Sequence, residues 1–459
     1  MKRRDLLAAT AAFSSLPGLL RAQGAVPGAA PGAAPGGSNG AATKVTFWHA
    51  MNGALGEEVN RICAGFNASQ AEVEITPIFK GTYPETLTAA IAAWRAGQAP
   101  HLVQMFEVGT GSMLAAGPAV KQVWQLIAET GVALDTNAYI PAVKGYYSLA
   151  DGRLASMPFN SSTSVMFYNK DAFEKAGLNP DKAPATWPEV IEAARAIKAK
   201  GAAGMPATTS WFAWAQLETY AAMHDLPYAT KSNGFEGLDT ELVINTPPFV
   251  KQLDRLLAMG KEGTFRYTGR DNAPDPLFVS GEAAISFMSS SLRADAAKNA
   301  KFRWAEAVLP YDPEVIPSPL NSVIGGASLW TMTAPNRTPA EYKGVASFLR
   351  YIAQPAQDAS WHQRTGYVPV TGGGYEESKA QGYYDKNPGA DVPIQQLARG
   401  KLTANSRGFR LGRMPEIRNI IYEEVEKAFQ NQQNAQAALD SAVARGNRVL
   451  REFQRANRT

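Results

Sequence analysis

The chain has 459 residues, 45 of them Lys or Arg and 41 Asp or Glu, which gives a formal net charge of +4 at pH 7. Apolar residues make up 45% and charged residues 19%, a globular composition that excludes an intrinsically disordered chain. The balanced charge argues against nucleic-acid binding, and the single Cys63 excludes an intramolecular disulfide or a metal site built from several cysteines.

The N-terminal 43 residues are expected to precede the folded protein. Residues 1–23 have a basic start, an apolar middle too short to span a membrane, and small residues near the end, which predicts a secretory signal peptide. Arg3 and Arg4 are similar to a twin-arginine signal, and an ordinary secretory signal is an equal alternative. Residues 24–43 are rich in Gly, Ala and Pro and predict a disordered spacer. We therefore expect a mature protein in the periplasm.

From Val45 onward the pattern alternates between strand and helix. Strands are predicted at 45–49, 73–79 and 101–106, and helices at 56–67 and 83–96. This alternation predicts a parallel sheet with crossover helices, in which ligands bind at the carboxyl ends of strands. The loops at those ends hold Trp48, His49, Tyr83 and Glu107.

A polar run, Asn160 to Thr163, precedes an apolar run, Val165 to Tyr168. The β-branched and aromatic residues of the second run favour a strand, and a helix is predicted from Asp171. Hydroxyl groups beside a strand can bind a polar ligand without a catalytic base. On these residues alone, an ordinary polar turn is the better interpretation.

The remainder of the chain continues as α/β and ends mostly helical. Thr186 and Glu189 form a capping box that predicts a helix to Lys200. Later helices are predicted at 247–260, 341–352, 416–429 and 435–453, and strands at 281–291, 323–332 and one ending at Asp312. The glycine pair Gly325–Gly326 interrupts one of these strands, which indicates close approach of a ligand or another backbone.

The sequence lacks the common patterns of catalytic and cofactor sites. Its four histidines are scattered without zinc-binding spacing, and there is no GxSxG nucleophile elbow, dinucleotide fingerprint or phosphate-binding loop. We expect no cofactor, no metal and no catalytic residue, and hence a binding protein that is not an enzyme. A pair of carboxylates in a cleft, as glycosidases use, stays open as an alternative.

Several segments, read in order, carry a family likeness: YNKDAFEKAGL followed by TWPEV, then GEAAISF, AVLPY, the glycine pair and WHQRTGYVPV. With these segments the chain resembles the extracellular solute-binding proteins of ABC importers, the family that includes maltose-binding protein, over about residues 44–457. The resemblance implies an α/β, two-lobed periplasmic-binding-protein fold of type II, each lobe a mostly parallel sheet flanked by helices, with a helical C-terminal region. It assigns 44–157 plus about 284–324 to lobe 1, and 158–283 plus about 325–459 to lobe 2.

Within this family the chain is most similar to the branch that binds glycerol 3-phosphate, through segments such as KGTY, FEVGT, FNSST, IGGASLW, TGY and GFRLG. The resemblance implies that the ligand-binding residues are Tyr83, Glu107, Ser162, Ser289, Gly326, Tyr367 and Arg410. Arg410 would pair with phosphate in a bidentate manner, and Glu107 would accept hydrogen bonds from ligand hydroxyls. Trp211, Trp214 and Trp48 are further candidates, with packing inside a lobe as the alternative for the tryptophans and tyrosines and a surface position for Arg410.

The resemblance also implies how the protein works and with which partners. The ligand, glycerol 3-phosphate or a glycerophosphodiester such as glycerophosphocholine, would be trapped by hinge closure. A monomer would then deliver it to the membrane permease of an ABC importer with a cytoplasmic ATPase, with no role for nucleic acid. The alternatives are an oligosaccharide-binding protein of an ABC importer and a secreted hydrolase acting on phosphodiesters or glycosides.

Overall fold

The computed structural model describes residues 41–457, which form one compact unit from Ala42 onward. The predicted signal peptide and all but the last residues of the predicted spacer lie outside the described residues, and the first strand already begins at Thr43. Among the helices of residues 41–457, none is both long enough and apolar enough to cross a membrane.

Two β-sheets organise the chain. The first contains β1 (Thr43–His49), β2 (Val73–Phe79), β3 (Leu102–Phe106), β4 (Val120–Lys121), β5 (Met157–Ser162) and β10 (Gly325–Met332). The second contains β6 (Ser164–Asn169), β7 (Met205–Thr209), β8 (Ala283–Ser289) and β9 (Trp304–Ala307). We call the part of the chain built on each sheet the first lobe and the second lobe.

Strand direction is mixed in both sheets and not mostly parallel. The predicted strand–helix alternation makes β1 parallel to β2 and to β3. Strand β10 returns from the second lobe and runs antiparallel to β3, β4 and β5. In the second sheet, β7 and β8 are parallel, while β6 is antiparallel to β8 and β9.

Helices surround both sheets. Those up to the first crossing between lobes are α1 (Gly53–Ser69), α2 (Tyr83–Arg95), α3 (Thr110–Ala115), α4 (Val123–Thr130) and α5 (Pro141–Tyr147). The second lobe then has α6 (Lys170–Lys175), α7 (Trp187–Ala199), α8 (Thr219–Met223), α9 (Thr230–Gly234), α10 (Pro247–Lys261), α11 (Asp275–Val279) and α12 (Leu292–Asn299). After β10 follow α13 (Pro339–Ile352), α14 (Pro355–Thr365), α15 (Gly372–Ala380), α16 (Tyr383–Lys386), α17 (Val392–Leu397), α18 (Met414–Phe429) and α19 (Ala435–Ala456). Short 3-10 helices occupy Glu107–Gly109 and Gly117–Ala119, and a π-helix occupies Ala213–Glu218.

The predicted lobe boundaries are corrected by the strand pairing. Residues 284–324 were expected in the first lobe, but β8 pairs with β6 and β7 and therefore belongs to the second sheet. Residues from 325 onward were expected in the second lobe, but β10 lies between β3 and β5 of the first sheet. Sheet membership depends on pairing between distant segments, which the local pattern of residues does not determine.

Thr163 marks the first crossing between the lobes and is bonded to the second crossing. Its hydroxyl donates to the carbonyl oxygen of Val323 at 2.9 Å and is hydrogen-bonded to the Ser322 hydroxyl at 2.7 Å. Its own carbonyl oxygen accepts from the amide of Ser290, just after β8, at 2.9 Å. These bonds fix both crossings and the end of β8 relative to one another.

Gly326 in β10 can only be glycine. Its φ is +98°, and a Cβ atom there would lie 2.0 Å from the carbonyl oxygen of Asn160 in β5. This confirms the close approach of another backbone that the glycine pair predicts.

Gly326→Ala is expected to lower the free energy of unfolding by about 3 kcal/mol, because it combines a strained φ with a backbone clash. Gly131→Ala is the matched control, since Gly131 also has a positive φ of +66° but has open space around it. The Gly131→Ala change should lower the free energy of unfolding by only about 1 kcal/mol. Urea denaturation of both proteins measures the difference, and equal losses would show that the close approach to Asn160 is not a constraint.

His224 is buried in the second lobe as a neutral ring. Its Nδ1–H donates to the carbonyl oxygen of Tyr220 at 2.7 Å, and its Nε2 accepts from the amide of Asp312 at 2.8 Å. Burial lowers the pKa of His224 to about 4. Because the unfolded chain binds this proton more tightly, the stability contributed by His224 is complete above about pH 6.5 and is lost as the pH falls toward 4.

Replacing His224 by glutamine is expected to remove this acid sensitivity. Between pH 6.5 and 4.5 the free energy of unfolding of the wild type should fall more steeply, by up to about 1.4 kcal/mol per pH unit. Denaturation curves collected at several pH values give both slopes. Identical slopes would mean that His224 titrates normally in the folded protein.

Candidate functional site

Strand β5 brings three of the predicted site residues together. Ser162 ends this strand and is opposite Gly325, while Ser161 is opposite Gly326. On the other side of β5, the amide of Val368 donates to the carbonyl oxygen of Ser161 at 2.7 Å, which places the preceding Tyr367 beside the same strand. Ser162, Gly326 and Tyr367 are therefore neighbours.

Ser289 joins this group from the second lobe. It ends β8 and is opposite Ser164, the first residue of β6. Its Oγ lies 2.9 Å from Ser291 Oγ, and it is nearly buried. Since only Thr163 separates β5 from β6, the hydroxyls of Ser162 and Ser289 flank the crossing between the lobes.

A chain of side-chain hydrogen bonds from Gln104 through Asn160 holds the hydroxyl of Tyr83. Asn160 Nδ2 donates to the Tyr83 hydroxyl at 3.1 Å, and Gln104 Nε2 donates to Asn160 Oδ1 at 2.8 Å. The Tyr83 ring stacks on Phe106 with centroids 5.3 Å apart. Burial raises the pKa of Tyr83, and likewise raises the pKa of Tyr367 to about 12, so both phenols are neutral donors at physiological pH.

Glu107 follows β3 and is buried in an ion cluster that the sequence did not predict. Its Oε1 accepts from Arg418 Nη2 at 2.7 Å, and Arg418 also forks onto both oxygens of Glu218 at 2.7 Å each. Burial raises the pKa of Glu107, while the guanidinium of Arg418 acts against that rise. The available signal was an arginine on the buried face of α18, between Ile417 and Ile421.

Arg410 is a partly buried cation that has no carboxylate partner among residues 41–457. Its Nη2 donates to the carbonyl oxygens of Tyr146 at 2.7 Å and Ser148 at 3.0 Å, and its guanidinium lies 4.4 Å from the Phe235 ring centroid. Its Nε is buried and has no hydrogen-bond partner within residues 41–457. Burial lowers the pKa of Arg410 to about 10, which leaves it charged at neutral pH. Arg410 is therefore partly buried, with its Nε enclosed, and is not a freely exposed arginine.

A strained turn in α9 positions Arg410. Asn233 has a left-handed φ of +56°, and its carbonyl oxygen accepts from the amide of Arg410 at 2.8 Å. The Asn233 side chain accepts from the amides of Tyr228 and Ala229 and donates to the carbonyl oxygen of Gly408. Such strain persists where the surroundings over-determine it, commonly at functional sites. The turn therefore fixes the backbone position of Arg410.

The three candidate tryptophans are placed differently. Trp214 is buried against β10, since a Cβ atom on Gly325 would lie 2.5 Å from its ring. Trp211 is half-buried, and its amide donates to the carbonyl oxygen of Asp271 at 2.8 Å. Trp48 lies on β1, between β2 and β3, with the Lys80 ammonium 4.0 Å from its ring centroid. Trp214 is thus the tryptophan in contact with a site strand.

These residues provide neutral donors, one carboxylate and one guanidinium that has no carboxylate partner in the described part of the chain. Such a set is suited to holding a small polar anion that also carries hydroxyls. Within residues 41–457, no group of three or more His, Cys, Asp or Glu side chains is arranged to hold a metal ion.

Comparison with known proteins gives the family. A family model described as bacterial extracellular solute-binding protein matches residues 61–389, more than half of the chain. The sn-glycerol-3-phosphate-binding periplasmic protein UgpB of Pectobacterium atrosepticum is 44% identical over 421 residues, 91% of this chain and 94% of that protein. The protein of the same name from Yersinia enterocolitica is 44% identical over 419 residues, with the same shares of both chains.

Solved structures share the fold. UgpB from Mycobacterium tuberculosis in complex with glycerophosphocholine has a TM-score of 0.75 at 21% identity, covering 90% of this chain and 99% of that chain. The cyclic alpha-maltosyl-1,6-maltose binding protein of Arthrobacter globiformis has a TM-score of 0.71 at 21% identity, covering 90% and 100%. These likenesses confirm the predicted two-lobed α/β fold, and the named relatives confirm the predicted periplasmic location. The chain belongs to the family of bacterial extracellular solute-binding proteins.

Proposed function

We propose that this protein captures glycerol 3-phosphate or a glycerophosphodiester in the periplasm and delivers it to the permease of an ABC importer with a cytoplasmic ATPase. The names of the 44% identical relatives support the ligand class. The observation that carries the proposal is the buried Nε of Arg410, which has no hydrogen-bond partner within residues 41–457, in a guanidinium that has no carboxylate partner in the same part of the chain.

The phosphate is assigned to the Arg410 end of the site. A guanidinium donates charge-assisted hydrogen bonds to phosphate oxygens, and the Nε of Arg410, which has no partner within residues 41–457, is a donor for such a bond. The hydroxyls of Ser162 and Ser289, the phenols of Tyr83 and Tyr367 and the amide of Gly326 are neutral donors that would complete the shell. Neutral donors suit an anion because they add no competing charge.

The glycerol hydroxyls are assigned to Glu107. A carboxylate only accepts hydrogen bonds and repels a phosphate, so the two ends of the ligand must be separated. Tyr146 joins the two ends: its carbonyl oxygen accepts from Arg410, while burial and then the carboxylate of Glu107 raise the pKa of its phenol. A molecule with an anionic end and a hydroxylated end matches this polarity.

Trp214 and Trp211 are the candidates for contact with a larger head group. Trp214 lies against β10, and the ring of Trp211 is half-exposed. A cationic head group, as in glycerophosphocholine, would be attracted to the face of an indole ring by a cation–π interaction. The Mycobacterium tuberculosis structure contains that compound, which supports testing it here.

We infer further that the protein acts as a monomer, performs no chemistry on its ligand and has no nucleic-acid partner. Neutral serines and tyrosines around one paired carboxylate lack a general base poised near neutral pH. Ligand binding between the lobes would favour the closed form, which the permease recognises.

Arg410→Ala is expected to weaken glycerol 3-phosphate binding more than about 100-fold, since a charge-assisted pair with phosphate is lost. Isothermal titration calorimetry of wild type and variant measures this. Arg413→Ala is the matched control, because Arg413 is three residues away and makes surface ion pairs with Glu416 and Glu452. That control should bind like the wild type.

Titration of the wild type with glycerol 3-phosphate, glycerophosphocholine and maltose tests the ligand class. We expect a heat of binding with glycerol 3-phosphate or with glycerophosphocholine, and no heat of binding with maltose. Binding of maltose alone would overturn the proposed function, and unchanged affinity in Arg410→Ala would remove this arginine from the site.

A further inference from the structure

A groove lies at the edge of the first sheet where β1 and β2 begin. Its volume is about 520 Å³, within the range of small-molecule sites, and its walls are the last turn of α1, the start of β1 and β2 and one face of α13. Thr43 and Val73, the first residues of the two parallel strands, are opposite each other in this wall. Tyr83 and Glu107 follow the other ends of β2 and β3. The α13 groove is therefore separate from the site between the lobes.

The floor of the α13 groove is apolar and aromatic. Phe66 of α1 and Tyr351 of α13 contact each other edge to face, with ring centroids 5.5 Å apart, and Val73 adds an aliphatic surface. Gly65 leaves room for Tyr351, since a Cβ atom there would lie 2.8 Å from the Tyr351 hydroxyl oxygen. The floor can therefore pack against a ring or an alkyl chain, and Tyr351 adds a hydroxyl group.

Two cations of α13 border this floor. Lys343 and Arg350 are seven residues apart, which is about 10.5 Å along the helix axis, and therefore share one face, with Ser347 between them. Both are exposed, and neither forms an ion pair within residues 41–457. The lining contains one carboxylate, that of Glu72. The wall of the groove thus carries an excess of positive charge, which favours an anion.

We propose that the α13 groove is a second binding site, for a small organic anion with a ring or a carbon chain. The anionic group would accept charge-assisted hydrogen bonds from Lys343 and Arg350, and the carbon body would lie on Phe66 and Tyr351. Both parts are required, because exposed cations alone bind an anion weakly in water and the apolar floor alone does not select for charge. The site goes beyond the proposed function, since none of its lining residues belongs to the site between the lobes.

Titration calorimetry with 1-naphthyl phosphate tests this site. Glycerol 3-phosphate is kept in excess in both the cell and the syringe, so that the site between the lobes is occupied. We expect the wild type to bind 1-naphthyl phosphate at least about ten times more tightly than inorganic phosphate or 1-naphthol, since each of these has only one of the two required parts.

Variants locate the binding in the groove. Lys343→Gln with Arg350→Gln removes both cations, leaves the floor intact, and should weaken binding of 1-naphthyl phosphate at least about tenfold. Ser347→Trp keeps both cations, fills the middle of the groove, and should weaken binding by a similar factor. Lys298→Gln with Arg448→Gln is the matched control, because these are exposed helical cations on α12 and α19. The control should bind 1-naphthyl phosphate like the wild type, and all of these variants should keep wild-type affinity for glycerol 3-phosphate.

No binding of 1-naphthyl phosphate by the wild type would overturn the inference, and so would equal binding by the wild type and the Lys343→Gln/Arg350→Gln variant. Binding that disappears in excess glycerol 3-phosphate would place the compound between the lobes and would overturn it as well. If glycerol 3-phosphate itself does not bind, the proposed function fails alone, because weaker binding of 1-naphthyl phosphate by the groove variants still locates that compound in the groove.

Discussion

The hydrogen bonds around Thr163 hold the first two crossings of the chain together, and the site is built outward from them. The residue joins β5 to β6 and bonds both the returning segment at Ser322 and Val323 and the end of β8. Buried backbone groups at such a crossing must find partners, so the pairing is strongly specified. Ser162, Gly326, Tyr367 and Ser289 owe their closeness to it, since each lies on β5 or on a segment paired with β5 or β6.

Around that frame the Glu107 carboxylate and the Arg410 guanidinium have different partners and are not paired with each other. Glu107 and Glu218 are both bonded to Arg418, whereas Arg410 has no carboxylate partner within residues 41–457 and donates to the carbonyl oxygen of Tyr146. A partly buried cation without a carboxylate partner is costly in the absence of a ligand, and the left-handed backbone at Asn233, which holds the Arg410 amide, adds strain. An anionic ligand bound to Arg410 would offset both costs. This gives the affinity for an anion a physical origin.

The sequence predicted elements whose signal is local. The capping box of Thr186 and Glu189 formed as expected, β2 has the predicted bounds, and the glycine pair marks a backbone approach. The lobe boundaries were wrong because sheet membership depends on distant pairing. Arg418 escaped prediction because its carboxylate partners lie 200 and 311 residues away along the chain. Placement of the site residues in one cleft likewise came from resemblance, since no spacing rule connects Tyr83 with Tyr367.

A crystal structure of the protein with glycerol 3-phosphate tests the central claim, that charge separation between Arg410 and Glu107 orients the ligand. The account predicts phosphate oxygens within hydrogen-bond distance of the Arg410 guanidinium. It also predicts glycerol hydroxyls on Glu107 Oε2, with Arg418 still on Oε1. A phosphate beside Glu107, or a ligand bound away from both residues, would contradict it.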